Sequence, residues 1–348
     1  MKKTLLPMLA CPLCLPEEVP LQGKELEASE SDIVSGNLHC GRCGTDYPIR
    51  DGIAFLDPNT SEAARARNRY ETAPVVSSYL WSHFGDLMGD TQASGAYREW
   101  FALMAPHDGP CLDTGSAVGR FTFEMAQCSD FAVGVDNAVA FIRVAREIMV
   151  HRGTVVHLTE EGLLKRSEQL VLPEHWRTDN CEFIVGDVQA LPFRSGIFGS
   201  VSSLNIVDKV PKPLVHLREI NRVARASSAQ CLFSDPFSWS TEVAEPADWL
   251  GGTTDGPFAG RGHENVLALL EGRIPGLEPT WRIESHGPVE IPRRYRNQYG
   301  QLLEEAPYTE RDIHPPSELE TVDEKGEFEV VVKARGRLTK YVYGFHPF

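Results

Sequence analysis

The chain has no run of about 18 apolar residues, so nothing in it is long and apolar enough to make a membrane-spanning helix. Basic residues are outnumbered: 34 Lys and Arg stand against 49 Asp and Glu, a formal net charge of -15. A surface with that balance repels phosphate backbones, which disfavours a nucleic-acid substrate. No internal repeat or low-complexity tract stands out, which argues against an array of stacked units. The start, Met1 to Ala10, has only a short apolar part before the first cysteine, and it reads as mature sequence rather than a leader. What remains is an ordinary globular composition, 42% hydrophobic and 24% charged, in 348 residues, a length that suggests about two domains.

Cysteine is sparse but patterned. Of eight, four fall in two tight pairs, Cys11-Pro12-Leu13-Cys14 and Cys40-Gly41-Arg42-Cys43. C-x-x-C spacing lets two thiolates meet one metal, and two such knuckles about 25 residues apart form the tetrahedral zinc site of a ribbon. The residues around them hold too little apolar sequence for an independent core, so zinc is expected to be the folding device. Cys111, Cys128, Cys181 and Cys231 lie singly in apolar contexts and read as free thiols, a pattern of a reducing, cytoplasmic compartment.

The chain divides by pattern into four parts. Residues 1–57 read as the zinc ribbon, with a turn at Asp51-Gly52. Residues 58–105 read as a helical approach region; Tyr79, Leu80, His83, Phe84 and Leu87 recur at helical spacing. Residues 106–308 alternate strand and helix, with an inserted excursion over 154–180. Residues 309–348 read as a C-terminal β-hairpin extension turning at Arg335-Gly336. The third part is a doubly wound α/β sheet, Rossmann-like in layout.

Three acids end successive strands of that sheet. In Leu112-Asp113-Thr114-Gly115-Ser116-Ala117-Val118-Gly119, two glycines bound a tight turn into a helix, where backbone can approach a ligand closely. The spacing D-x-G-x-x-x-G differs from the dinucleotide fingerprint. Asp136, followed by Asn137, ends the next strand, where a carboxylate can accept both hydroxyls of a ribose. Asp187, followed by Val188, ends a third, placed for an adenine amino group. Further on, Asn205 and Asp208 follow the fourth strand, and Trp239 and Trp249 follow the fifth.

These motifs resemble those of class I S-adenosylmethionine-dependent methyltransferases. The resemblance implies cofactor contacts from Asp113, Thr114, Gly115, Ser116, Gly119, Asp136, Asn137, Asp187, Val188 and Asn205. Asn205-Ile206-Val207-Asp208-Lys209 and Ser234-Asp235-Pro236-Phe237-Ser238-Trp239, with Asp248-Trp249-Leu250-Gly251-Gly252, resemble one branch in particular, the imidazole N-methyltransferases. That branch includes the methyltransferase module of ovothiol biosynthesis, carnosine N-methyltransferase and protein-histidine methyltransferases. It implies Asp208 and Asn205 as catalytic residues. Tyr70, Trp239, Trp249, Arg296 and Tyr299 are the candidate acceptor-binding residues. The chain departs from the branch at Lys209, where an arginine is usual, and at Glu245-Pro246, where Thr-Pro is usual. The first 57 residues resemble the Trm112-like zinc-ribbon family, which often activates a separate methyltransferase.

The expectation is therefore a cytoplasmic N-methyltransferase using S-adenosylmethionine, with structural zinc on Cys11, Cys14, Cys40 and Cys43. Its acceptor would be an imidazole-bearing small molecule or peptide, without nucleic-acid or membrane partners. Methylation of another amine or a thiol, and a non-catalytic cofactor-binding module, are the alternatives. Asn205 and Asp208 also suit a plain helix-capping turn.

Overall fold

The computed structural model describes residues 1–58, 68–90, 93, 95–161 and 163–286, and beyond them only the short strands 288–289, 294–296, 302–304, 328–334 and 341–343. Four antiparallel strands open the chain: β1 (Leu21–Ala28), β2 (Ile33–Cys40), β3 (Asp46–Arg50) and β4 (Ile53–Ala54). Asp51 and Gly52 turn β3 into β4 with φ of 52° and 74°, the left-handed pair that suits a two-residue hairpin. Helices α1 (Ala73–Phe84) and α2 (Ala96–Ala102) follow. Residues 59–67, which include the expected helix at 61–67, lie outside the described residues.

The alternating region supplies β5 (Pro110–Thr114), α3 (Arg120–Met125), β6 (Phe131–Asp136) and α4 (Val139–His151). The 154–180 excursion is largely a hairpin, β7 (Gly153–Glu161) against β8 (Leu164–Val171). Next come β9 (Cys181–Val185), β10 (Ser200–Leu204), α5 (Pro213–Val223), β11 (Gln230–Asp235), α6 (Gly262–Leu270) and β12 (Arg282–Ser285). Five short strands close the chain: β13 (Pro288–Val289), β14 (Arg294–Arg296), β15 (Leu302–Glu304), β16 (Phe328–Ala334) and β17 (Tyr341–Tyr343).

The main sheet runs β9-β6-β5-β10-β11-β16-β12. Neighbours from β9 to β11 are parallel, and β16 is antiparallel to both β11 and β12. Strand order reverses between β5 and β10, and in open α/β sheets ligands bind outside the strand ends at that switch. The tail reading is corrected in one respect. β16 and β17 do pair antiparallel, but β16 is inserted within the sheet, so this segment completes the sheet rather than extending from it.

Side chains alternate across the sheet. Leu112, Val133 and Ile184 enter one core, and Cys111, Ala132 and Phe183 the other. The ribbon has no separate core: Leu5, Leu9, Leu38, Tyr47, Ile49 and Leu56 are buried in the same cluster as Leu112 and Val133. Backbone joins the two units. Leu56 N–H donates to the Val185 carbonyl at 2.7 Å, and Phe55 pairs parallel with Val185, so the ribbon continues the sheet past β9. Leu9 bridges antiparallel to Phe193, and Glu18 bonds Ser195. The expected apolar stripe of α1 is packed into the second core through Leu80 and Phe84. There the fully buried Arg120 pairs with Asp86 and Glu124.

Candidate cofactor and acceptor site

The turn after β5 is built for close approach. Gly115 has φ of 72°, where any other residue would be strained, and a Cβ on it would lie 2.0 Å from Cδ1 of Ile206 and force that side chain to move. Gly119 starts α3 at φ 89° with Phe183 against it, so it too disfavours a side chain. Asp113 does not face the crevice. Its carboxylate accepts from Thr122 Oγ1 and Ser202 Oγ, each at 2.7 Å, and it braces the turn from beneath. Burial raises its carboxyl to about 6. The Thr114 hydroxyl is also spent inside the sheet, donating to the Ser202 carbonyl at 2.7 Å, so of Thr114 only backbone is left for a ligand.

Asp136 ties the neighbouring loops together. Oδ2 accepts from Ala117 N–H at 2.9 Å and Oδ1 from Ala138 N–H at 2.8 Å. A carboxylate has about four acceptor sites, so capacity remains for hydroxyls. Asn137 beside it is exposed. A residue absent from the expected set joins here: both oxygens of Glu71 accept from the first N–H groups of α4, Val139 at 2.7 Å and Ala140 at 2.9 Å. A carboxylate at a helix N-terminus is favourable. No local pattern announces the contact, because it spans 68 residues of chain. Tyr70, next to Glu71, packs edge-on to Tyr79 and against Phe141, on the α4 side of the crevice.

Asp187 accepts from Gln189 N–H at 2.8 Å, and burial raises its carboxyl, helped by Asp57 of the ribbon. Val188 is held by its carbonyl, 3.1 Å from His216 Nδ1. A carbonyl only accepts, so Nδ1 carries the proton and Nε2 accepts from Ser203 Oγ at 2.9 Å. Burial lowers this imidazole to about 4, so it stays neutral.

Across the switch, Asn205 has φ of 61° and its N–H donates to Ser234 at 2.6 Å. Asp208 is buried; its Oδ2 accepts from Ser238 N–H at 2.8 Å and from Lys209 Nζ at 3.3 Å. Trp239 and Trp249 stack with centroids 6.2 Å apart and planes 16° from parallel. Arg296 lies in β14, paired with Leu302 of β15; Tyr299 lies outside the described residues.

Among the described residues, the buried polar atoms without a hydrogen-bond partner at or just after these strands include Ser116 Oγ, Asn205 Oδ1, Ser234 Oγ and Trp239 Nε1. Burying such groups unpaired is costly, so atoms of this kind at the ends of neighbouring strands suit a polar ligand such as a nucleoside cofactor.

The ribbon cysteines also converge. Their four Sγ atoms lie within 4.8 Å of one another, with Cys11–Cys43 and Cys14–Cys40 each at 3.7 Å. A tetrahedron with Zn–S of about 2.3 Å has edges of about 3.8 Å, so the four fit one zinc ion. Tyr47 Oη, 3.2 Å from Cys11 Sγ, orients one ligand from the core side.

Residues 2–52 match the family model of Trm112p-like proteins, and residues 112–229 match that of a methyltransferase domain. The chain carries a class I S-adenosylmethionine-dependent methyltransferase domain behind a Trm112p-like ribbon. One curated relative, described as a candidate dioxygenase of Saccharolobus solfataricus, is 40% identical over 60 residues; the chain spans only 15% of that relative's length. Solved structures resembling the methyltransferase domain include phosphoethanolamine N-methyltransferase 2 of Haemonchus contortus, at 15% identity and TM-score 0.37, covering 52% of this chain and 37% of that one. A complex of the Haloferax volcanii Trm112 methyltransferase activator with a methyltransferase matches at 17% identity and TM-score 0.32, covering 46% and 57%. At those scores neither bears on the substrate.

Asp136→Ala in the methyltransferase domain should weaken S-adenosylmethionine binding by about 2 kcal/mol, the loss of charge-assisted hydrogen bonds. Unchanged affinity by calorimetry in a folded variant would refute its ribose role. Burial, opposed by the Ala138 and Ala117 N–H groups, raises the Asp136 carboxyl from 3.8 to about 6. Its folded value lies above its unfolded one, so its contribution to stability is complete below 3.8 and is lost as pH rises through about 6. A contact from Asp136 to the cofactor's ribose would need the ionised form. Affinity should therefore strengthen as pH rises through the same interval, with proton release on binding, and a pH-independent affinity would contradict the assignment.

Proposed function

We propose that this protein methylates a ring nitrogen of an imidazole-bearing small molecule or peptide in the cytoplasm. The supporting observation is the Asp208 carboxylate, buried in the turn after β10 that Asn205 opens, and bonded to Ser238 N–H in the segment that leads to the stacked Trp239 and Trp249. A neutral imidazole has one N–H and one lone pair. A carboxylate that accepts the N–H fixes the tautomer and leaves the other nitrogen free to attack. Asn205 Oδ1 is a buried acceptor that would orient the ring or the amine of the cofactor.

S-adenosylmethionine would supply an activated methyl for the free ring nitrogen, with a neutral sulfide as the leaving group. As the ring becomes cationic, Asp208 stabilises the charge and then takes the N–H proton. The Ser238 N–H and Lys209 keep its carboxylate in place through that change. The glycine turn after β5 and the acids of β6 and β9 would hold the cofactor half, and the turns after β10 and β11 the acceptor half.

Incubation with methyl-labelled cofactor and a panel of histidine derivatives, other amines and thiols tests the reading. Label transfer to a ring nitrogen of a histidine derivative is the expected result. Transfer confined to amines or thiols would replace the acceptor class. No transfer to any acceptor, with cofactor bound, would favour a binding module.

A further inference from the structure

Asp208 has a second buried acid against it. Asp235, the last residue of β11, is fully buried, and its Oδ2 accepts from the Asp208 backbone N–H at 3.2 Å. Its Oδ1 accepts from Phe237 N–H at 2.8 Å, and Asp208 in turn accepts from Ser238 N–H in that same turn. Each carboxyl thus grips the backbone beside the other, clasping the ends of β10 and β11 together. Phe237 is held at φ 52°, a left-handed conformation unusual for an aromatic residue, and this clasp sustains it.

Two neighbouring buried carboxylates cannot both ionise cheaply. Among the described residues, the charged groups that act most on Asp235 are Asp208, which disfavours its ionisation, and Lys209, which favours it; Glu329 of β16 is its partner in strand register. Lys209 lies 3.3 Å from Asp208 Oδ2, so the turn's own cation sits with Asp208. Burial, with the Asp208 charge second, pushes the Asp235 carboxyl well above its ordinary value.

We propose that Asp208 and Asp235 form one acid pair holding a single proton at neutral pH, with Asp235 as the positioning residue that keeps Asp208 ionised and fixed toward the acceptor. Its role toward an acceptor rests on the function proposed above, whereas the shared proton does not. The pair carries one negative charge and Lys209 one positive charge. The N–H proton released on methylation brings the pair from one proton to two, and its return to solvent restores the resting state. Such a pair titrates in two macroscopic steps belonging to both residues.

Infrared difference spectroscopy on the full-length protein reads the proton without any acceptor. Wild type minus Asp235→Asn at neutral pH should show a protonated-carboxyl C=O stretch. In Asp208→Asn that band should vanish at a lower pH than in wild type, because the neighbouring charge is gone. Lys209→Met should carry it to higher pH, and this variant serves if either aspartate variant fails to fold. A band absent from wild type, or one that vanishes at the same pH in Asp208→Asn and Lys209→Met as in wild type, overturns the pairing. With an acceptor in hand, Asp235→Asn should lose the alkaline limb of the pH–rate profile, which a purely structural residue would leave in place. A shared proton in a protein that methylates no imidazole would sink the function and leave the pair standing.

Discussion

Serine at Cys40 should cost the protein its ribbon. Structural zinc in small finger peptides contributes on the order of 10 kcal/mol of folding free energy, and loss of one thiolate forfeits most of it. The ribbon's apolar side chains share the core of the main sheet, so the damage should spread. Hydrogen exchange should rise at β3 and β4 and along β9, whose Val185 carbonyl accepts the Leu56 N–H. Elemental analysis of wild type purified without chelator should give one zinc per chain. Metal-free protein with all four thiols freely titratable, or a Cys40→Ser variant melting at the wild-type temperature, would rule the zinc assignment out.

Asp208→Asn carries the second large effect. The amide keeps the shape and can still accept a ring N–H, so acceptor binding should fall modestly. The charge that stabilises a cationic ring is gone, so turnover should fall about a hundredfold or more. Asn205→Ala should act on positioning instead, raising KM while slowing turnover. A residue that only caps a turn would behave in the opposite way, with a lower Tm and unchanged turnover per folded molecule. A stable, fully active Asp208→Asn protein would eliminate the mechanism.

What the sequence disclosed were features written locally. The two C-x-x-C pairs, the acids at the ends of β5, β6 and β9, and the glycine turn before α3 are each readable within ten residues; the four thiols converge on one cluster, and the acids stand at the ends of neighbouring parallel strands. What it hid depends on partners far away in the chain. Thr114 sits in the glycine turn as a plausible ligand contact, yet its hydroxyl is claimed by Ser202, 88 residues on. Glu71 reaches α4 from the approach segment, and Asp235 matters only because β11 lies beside β10. The tail's alternating pattern signalled strands, but nothing in it specifies insertion between β11 and β12. A period of two says which residues share a face, and it is silent on which strand lies alongside.

The seam between ribbon and sheet also orders events during synthesis. Leu9 and Leu56 leave the ribosome well before Phe193 and Val185, the residues they pair with. At about 5–20 residues per second, the ribbon waits on the order of ten seconds for the surface that covers it. In that interval its apolar face is open to misassociation, and the free edge beside β4 can accept a foreign strand. Zinc captured by the nascent cysteines would hold the young ribbon in one shape until its partner arrives. Metal supply would then govern the yield of native protein even where the finished molecule, with its seam closed, releases the ion only slowly.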